Sequence, residues 1–235
     1  MIFAAGLGTR MRPITDTIPK PLLQVKGKAL IEYHLQKAKA AGIEEVVINV
    51  SHLYQHIIDH CGNGEQYGLK IHYSIEETPL ETAGGLAQAA SLLGSDAFII
   101  LNGDVFIDID LRAWISKPRK AVELLLVDNP SHHPQGDFGL NPNHDVVLKS
   151  DKGHSQLTYA GAAILHTELL DEISNKLSSV DEASLEPSQK LSYFLRLWIQ
   201  HHKVSGTHFR GTWCDVGTPE RLEWIRAKVE PEVDK

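Results

Sequence analysis

The chain reads as an α/β protein, with a mostly parallel mixed sheet flanked by helices and a smaller antiparallel lid. Three observations predict this. Short apolar runs alternate with amphipathic helical segments through the first hundred residues, which implies right-handed βαβ crossovers. Beyond Asp104 the pattern changes to strands with no long helix between them, which implies antiparallel additions. The 235 residues suit one substantial core, so a single domain over 1–230 is expected, followed by a polar tail at 231–235 that should fray.

The elements follow in order. Ile2 to Ala5 is an apolar run that breaks into Gly6-Leu7-Gly8-Thr9-Arg10, a strand feeding a tight glycine loop. Residues 29–41 form an amphipathic helix with Leu30, Ile31, Leu35 and Ala38 near one face and Gly42 as its stop. Residues 45–50 are a buried-type strand, 52–60 a helix with Ile57 and Ile58 inward, and 70–75 an alternating strand. A glycine-opened helix covers 83–93, and an apolar strand at 98–101 ends in Asn102-Gly103-Asp104. Strands are expected at 122–127, 145–149, 157–165 and 207–216, with a helix at 191–201 and a polar surface loop at 178–188. Thr218-Pro219-Glu220 is a strong helix start: a capping hydroxyl, proline in the first turn, and an acid near the positive end of the dipole. The domain divides into 1–110, 111–217 and a C-terminal helix at 218–230.

Bulk properties narrow the function. A formal net charge of −7 argues against general nucleic-acid binding, which needs a basic face, but leaves room for a phosphate substrate gripped by a few local cations. No stretch is long and apolar enough to span a bilayer, so no membrane association is expected. The N-terminus lacks a charged region and a cleavage site, so no signal peptide is expected. Two cysteines, Cys61 and Cys214, read as reduced structural thiols and fit a cytoplasmic setting.

The first twenty-two residues carry the most chemistry. Glycines allow positive φ and close approach of a ligand, and successive loop N–H groups make a concavity for anions. Arg10, Arg12 and Lys20 supply charge where a polyphosphate would lie. There is no G-x-x-x-x-G-K-[ST] string, and Met11 occupies the position of the third glycine in the dinucleotide fingerprint, so neither of the two commonest phosphate loops is present. Taken alone, the two glycines fit a simple strand–helix turn equally well. Asp104 at the end of an apolar run is either a turn residue or a ligand. If its strand continues, it shares a face with Asn102. Asp215 repeats the arrangement before the capped helix, with Trp213 on its face. Two carboxylates at strand ends near a phosphate loop make a natural Mg²⁺ site, because magnesium takes one or two carboxylates and fills its shell with substrate phosphates and water.

Other polar clusters read more plainly. His132 and His133 lack a second pair at zinc spacing and fit solvated loop histidines. His52, His56 and His60 recur every fourth residue as a surface stripe. Asp137, between glycine and an aromatic, is either a surface turn or a ligand for sugar hydroxyls.

The string G-x-G-T-R-M-x-P at Gly6 to Pro13, followed by P-K-P-L at Pro19 to Leu22, resembles the signature loop of the sugar-nucleotide pyrophosphorylases, nucleotidyltransferases that make nucleoside-diphosphate sugars. The resemblance implies a Rossmann-like, glycosyltransferase-A-like fold, with the lid binding the sugar. It implies that Ala5, Gly6, Gly8, Thr9 and Arg10 wrap the triphosphate, that Arg10 and Lys20 are the catalytic cations, and that Gly85 lies against the nucleobase. Asn102, Asp137, Gly139, Gly161 and Trp213 are implied on the sugar-phosphate side, and Asp104 and Asp215 as ligands of Mg²⁺. The family usually has a few residues before the equivalent of Ile2, so a longer native N-terminus is an open alternative.

Two departures stand out. Many relatives read L-G-T-A-G where this chain has Leu80-Glu81-Thr82-Ala83-Gly84, so a carboxylate replaces the first glycine and leaves the base preference open. Larger relatives often carry Glu-Lys on a lid strand where Leu148-Lys149-Ser150 stands here. The strings V-D-N-P-x-H-H-x-x-G-D-F, P-L-E-T-x-G-G and V-S-G-x-H-x-R-G-x-W-x-D-V-G-T-x-E-R-L resemble one small bacterial group of the family, which transfers UMP from UTP to N-acetylmuramate 1-phosphate in peptidoglycan recycling. The substrates implied are UTP and a sugar 1-phosphate. A mannose or heptose 1-phosphate guanylyltransferase and a non-catalytic nucleotide- or sugar-binding module remain as alternatives, and the oligomeric state is open between a monomer and a small homo-oligomer.

Overall fold

The computed structural model describes residues 1–117, 120–148, 155–179 and 189–229. Along the chain these form β1 (Ile2–Phe3), a hairpin of β2 (Gln24–Val25) and β3 (Lys28–Ala29), α1 (Leu30–Ala40), β4 (Glu45–Val50), α2 (Tyr54–Cys61) and β5 (Lys70–Ile75). Then come α3 (Glu81–Ala89), β6 (Ala97–Asn102), β7 (Val105–Ile107), α4 (Leu111–Ile115), β8 (Val122–Val127), β9 (Phe138–Leu140), β10 (Val146–Val147) and β11 (Ser155–His166). The last elements are α5 (Glu168–Ser178), α6 (Leu191–Gln200), β12 (Val204–Phe209), β13 (Trp213–Asp215) and α7 (Pro219–Lys228). The chain is α/β, a mixed sheet with flanking helices, as the alternating pattern predicts. Among the described residues no helix is long and apolar enough to cross a membrane.

Two compact units emerge, both discontinuous in sequence, whereas the division expected from the sequence was into contiguous halves. The loop unit comprises Ile2–Pro79, Asn102–Arg112 and Thr212–Lys235; the sheet unit comprises Met1, Leu80–Leu101 and Ala113–Gly211.

In the loop unit, β1, β4 and β5 run parallel, with Ile2 opposite Ile48 and Ile48 opposite Tyr73. Strand β4 is buried from Val46 to Val50, apolar on both faces apart from Asn49, as an interior parallel strand requires. Helix α1 buries Leu30, Ile31, His34, Leu35 and Ala38, one face at helical spacing. A second core joins Met11, Leu23, Val25, Leu30, Phe106, Cys214, Val216, Leu222 and Ile225. It draws on four separate stretches of chain, so packing here ties the glycine loop to the C-terminal helix. Thr218 caps α7 by accepting the Arg221 N–H at 3.4 Å, with Pro219 at the first position.

In the sheet unit, β11 is the hub. It pairs antiparallel with β6, β8 and β9, while β12 runs parallel to β8. A bulge lies between Tyr159 and Ala163, where Gly161 takes φ +76°, a left-handed conformation that glycine adopts freely. Helix α6 buries Leu191, Phe194, Leu195, Trp198 and Ile199 at the i, i+3, i+4, i+7, i+8 spacing of an amphipathic helix.

Several expected boundaries move. The strand expected at 207–216 is two strands, β12 and β13, because the chain leaves β8 after Phe209 and pairs afresh with β7 from Trp213. The 83–93 helix begins two residues earlier, at Glu81, and ends as a 3-10 turn at Ala90–Leu92. The helix at 52–60 starts at Tyr54. Helices α4 and α5 were not anticipated, and Ser178, expected in a loop, closes α5. Lys149, residues 180–188 and the tail at 231–235 lie outside the described residues.

Candidate active site

The glycine loop is rooted by a buried polar chain. Where β1 ends, the Ala4 N–H donates to the Asn49 backbone carbonyl at 3.1 Å and to the Asn49 Oδ1 at 3.0 Å. Asn49 Nδ2 donates to Glu76 Oε1 at 2.7 Å, and both side chains are buried. The exit direction of the loop is therefore set by the ends of β4 and β5. Ala5 is buried, while Gly6, Leu7, Thr9 and Arg10 are exposed and Gly8 is half-buried. Gly8 has φ +63°, and a Cβ there would come within 2.9 Å of the Thr15 methyl. The Thr15 hydroxyl donates to the Gly8 carbonyl at 2.8 Å, and the Met11 N–H reaches the same carbonyl at 2.8 Å. Glycine is thus required at position 8 by conformation and by space.

The acidic side of the site is built on a turn and a two-stranded ribbon. Strand β6 stops at Asn102, and Gly103 and Asp104 form a turn before β7, so Asn102 and Asp104 do not continue one strand face as expected. The turn is pinned where the Gly103 N–H donates to the Phe3 carbonyl at 2.8 Å; a Cβ on Gly103 would fall 2.6 Å from that oxygen. On the ribbon, Asp215 lies opposite Val105, and the Val216 N–H donates to the Asp104 carbonyl at 2.9 Å. Two acids distant in sequence thus occupy neighbouring positions of one backbone ribbon.

Each acid carries a cation. Lys20 is buried in a 3-10 turn at Lys20–Leu22, flanked by Pro19 and Pro21, and its Nζ donates to Asp104 Oδ2. Arg221, on the first turn of α7, donates through Nη1 to Asp215 Oδ2 at 2.5 Å. The Asp104 and Asp215 side chains keep 34% and 31% of their surface exposed, although the Asp215 Oδ1 atom itself is buried. Arg10 reaches the same place: a Cβ on Gly217 would sit 2.1 Å from Arg221 Nη2 and 3.5 Å from Arg10 Nη2. The loop unit therefore brings together Arg10, Lys20, Asp104 and Asp215, and adds Arg221, which the sequence reading did not single out. Its position in the first turn after the Thr218 cap was the available signal. Trp213 is half-buried on β13, and Asn102 is half-buried at the end of β6.

The donor set suits a hard divalent cation. Among the described residues no group of three or more His, Cys, Asp or Glu side chains is placed to hold a metal ion; Asp104 and Asp215 could offer carboxylate oxygens to a magnesium ion that takes its other ligands from phosphate and water. The Cys214 thiol between them in sequence is no competitor, because burial pushes its pKa up to about 12 and keeps it protonated. Beneath the acidic turn lies His34, fully enclosed on α1. Burial holds its pKa down to about 4, so the ring is neutral near pH 7. Neither ring nitrogen makes a hydrogen bond of good geometry, although the Asn102 and Val105 backbone is close.

The sheet unit carries the remaining sequence-derived positions. Gly85 is buried within α3. Glu81, exposed at the start of that helix, has φ +59°, the left-handed conformation that a glycine in its place would take without strain. Gly139 is buried in β9, and Gly161 forms the β11 bulge. Asp137 already uses both oxygens: Oδ2 accepts the Tyr159 N–H at 2.9 Å and Oδ1 lies 3.1 Å from His133 Nε2. This ties His133, expected as a solvated loop residue, to a carboxylate. His52 and His56 are exposed, as a surface stripe requires, and His60 lies 3.4 Å from Glu32. Cys61 and Cys214 are both free and buried.

Comparison with known proteins places the whole chain in a family. The chain is 45% identical over 233 residues to N-acetylmuramate alpha-1-phosphate uridylyltransferase of Neisseria meningitidis, covering 97% of this chain and 96% of that protein. It is 37% identical over 187 residues to UTP--glucose-1-phosphate uridylyltransferase of Synechocystis, covering 74% of this chain and 46% of the relative. A Bacillus anthracis structure named for glucose-1-phosphate thymidylyltransferase activity superimposes with a TM-score of 0.84 at 18% identity, covering 100% of this chain and 95% of the other, which establishes the shared fold. With the nucleotidyl transferase family description matching residues 1–232, the chain belongs to that family.

Proposed function

We propose that the protein transfers UMP from UTP to N-acetylmuramate α-1-phosphate, giving UDP-N-acetylmuramate and pyrophosphate in the cytoplasmic recycling of peptidoglycan. The β7–β13 pairing is the observation that carries the reaction class. It pairs Asp215 with Val105, the residue after Asp104, in the unit that also holds the glycine loop, Arg10 and Lys20. The substrate pair is supported by the similarity to the meningococcal uridylyltransferase along nearly the whole of both chains.

The acceptor phosphate is already anionic near pH 7, so the reaction needs no general base. The protein has to align an in-line attack on the α-phosphate and neutralise charge. The loop N–H groups of Gly6 to Arg10 and the Arg10 guanidinium would grip the β- and γ-phosphates, which leave as pyrophosphate. Lys20, fixed by its buried turn and by Asp104, would offset charge at the attacked phosphorus. Arg221 would hold Asp215 in place and add a second guanidinium beside Arg10. Mg²⁺, which Asp104 and Asp215 are suited to hold, would supply charge neutralisation for the phosphates. Within the loop unit, Asn102 and Trp213 would line the acceptor side.

A screen of pyrophosphate release across UTP, GTP, dTTP and ATP against N-acetylmuramate, N-acetylglucosamine, glucose and mannose 1-phosphates tests this reading. UTP with N-acetylmuramate 1-phosphate is expected to give the highest kcat/KM. A Mycobacterium tuberculosis mannose-1-phosphate guanylyltransferase is 29% identical over 98% of this chain, so preference for GTP with mannose 1-phosphate would move the assignment there. Absence of turnover with every pair would leave a binding module.

A further inference from the structure

Arg221 does more in the loop unit than pair with an acid. It sits on the first turn of α7, just after the Thr218 cap, and its side chain is largely enclosed, with 17% of its surface exposed. Nη1 is fixed by Asp215 Oδ2 at 2.5 Å. The other side of the guanidinium lies over the backbone of Gly217, where a Cβ would come within 2.1 Å of Nη2 and 2.9 Å of Cζ. Gly217 does not take the left-handed conformation, so its backbone by itself does not call for glycine. What excludes a side chain at 217 is the guanidinium, which occupies the space a methyl group would need.

The second guanidinium comes from the glycine loop. Arg10 Nη2 lies 3.5 Å from the same Cβ position, so two arginines far apart in sequence approach one point. Packing within the loop unit explains the meeting. Met11, next to Arg10, shares a buried core with Val216 and Leu222, the neighbours of Gly217 and Arg221. Guanidinium groups do not lose their protons in proteins, so these two repel each other. Asp215 neutralises one of them through Nη1. An anion with several oxygens between them would offset the repulsion, and the planar forks match phosphate oxygens. Holding one fork in place beforehand lowers the ordering cost of binding.

We propose that Arg221, aimed over Gly217 by Asp215, is a further binding residue for the leaving pyrophosphate, which it grips together with Arg10. The proposal rests on the nucleotidyl-transfer reading above and is independent of which sugar accepts the nucleotide. Gly217 then serves the same contact, by leaving room for the guanidinium.

Calorimetric titration of the whole enzyme with inorganic pyrophosphate in EDTA reads the protein's own donors, and UMP, which carries only the α-phosphate, is the control. Arg221→Gln should weaken pyrophosphate binding by about 10- to 100-fold, the range of one hydrogen bond to a charged group, and leave UMP binding near wild type. Gly217→Ala, which keeps the arginine and displaces its guanidinium, should also weaken pyrophosphate and spare UMP. Because Arg221→Gln uncovers the Asp215 charge, the comparison is repeated in an Asp215→Asn background, where the loss should persist. Near wild-type pyrophosphate affinity in either variant, a loss confined to proteins that keep the Asp215 carboxylate, or an equal loss of UMP and pyrophosphate in both variants overturns the contact and leaves the transfer reading standing. Failure of the wild type to bind pyrophosphate or UMP even after Mg²⁺ is restored overturns the transfer reading and this proposal with it.

Discussion

Asp104 and Asp215 of the loop unit and Glu123 of the sheet unit are held at very different depths. In the loop unit, Asp104 and Asp215 are each paired with a full positive charge, Lys20 and Arg221, and both acids stay about one-third exposed. In the sheet unit, Glu123 is 1% exposed and accepts hydrogen bonds from two neutral hydroxyls, Ser205 at 2.5 Å and Thr207 at 2.6 Å. In these pairs the cations are largely enclosed, 9% for Lys20 and 17% for Arg221, and solvent reaches and screens the pair from the acid's side. A buried carboxyl group bonded to hydroxyls of a neighbouring strand has no such recourse, since a buried acceptor that loses its donors gains no water in exchange. The first arrangement suits a site that must admit phosphates and a cation. The second keeps β8 and β12 in register.

If this contrast is right, the largest effect comes from removing the cation. EDTA should reduce pyrophosphate release by at least about 1,000-fold, with recovery on adding Mg²⁺ and little change in Tm. Unimpaired activity in EDTA would remove the metal role of Asp104 and Asp215. Next, Lys20→Ala should lower kcat by about 100- to 1,000-fold while costing at most about 1 kcal/mol of stability, as urea unfolding would read, because its partner is partly solvated. Activity near wild type in that variant would take Lys20 out of the mechanism.

A third prediction concerns what lies under the acidic turn. His34 has a pKa of about 4 in the folded protein against 6.5 in the unfolded chain. Between those values the unfolded state binds the proton and the folded state does not, so stability should rise with pH across that window. The gain is on the order of 3 kcal/mol between pH 4 and pH 7, and it should be absent in His34→Leu; equal slopes in both proteins would show that His34 titrates freely. The smallest effect sharpens the contrast from the other side. Glu123→Ala should cost about 2 kcal/mol of stability by leaving the Ser205 and Thr207 hydroxyls short of partners, with kcat of the folded enzyme unchanged. A selective loss of kcat there would mean that the two units do not differ as described.

Much of the loop unit was legible because its signals are local. A glycine pair after an apolar run, a lysine between prolines, and a threonine before proline each specify backbone geometry within a few residues. The misreadings arose where a distant partner decides. Residues 207–216 look like one strand, but Phe209 is the last residue to pair with β8 and Trp213 the first to pair with β7. Asn102 and Asp104 have the spacing of a shared strand face; the bond from Gly103 to Phe3 turns the chain instead. Helix α5 was passed over although Leu169, Leu170 and Ile173 have the spacing of a buried helical face. His34 falls in register with Leu30 and Ala38 on the buried side of α1, a signal present in the sequence and unused.

By itself the sequence determined the α/β class, since composition and short-range periodicity govern it, and it singled out the glycine loop, the cations beside it and both acids as candidates. Tertiary structure alone decided that Asp104 and Asp215 become neighbours, that Arg221 and Arg10 converge on Gly217, and that Asp137 turns from a free acid into the support of His133. Each of these depends on which backbone groups meet after the chain returns from far away. Such meetings are settled by hydrogen-bond pairing and close packing across the whole molecule, and no window of neighbouring residues contains them.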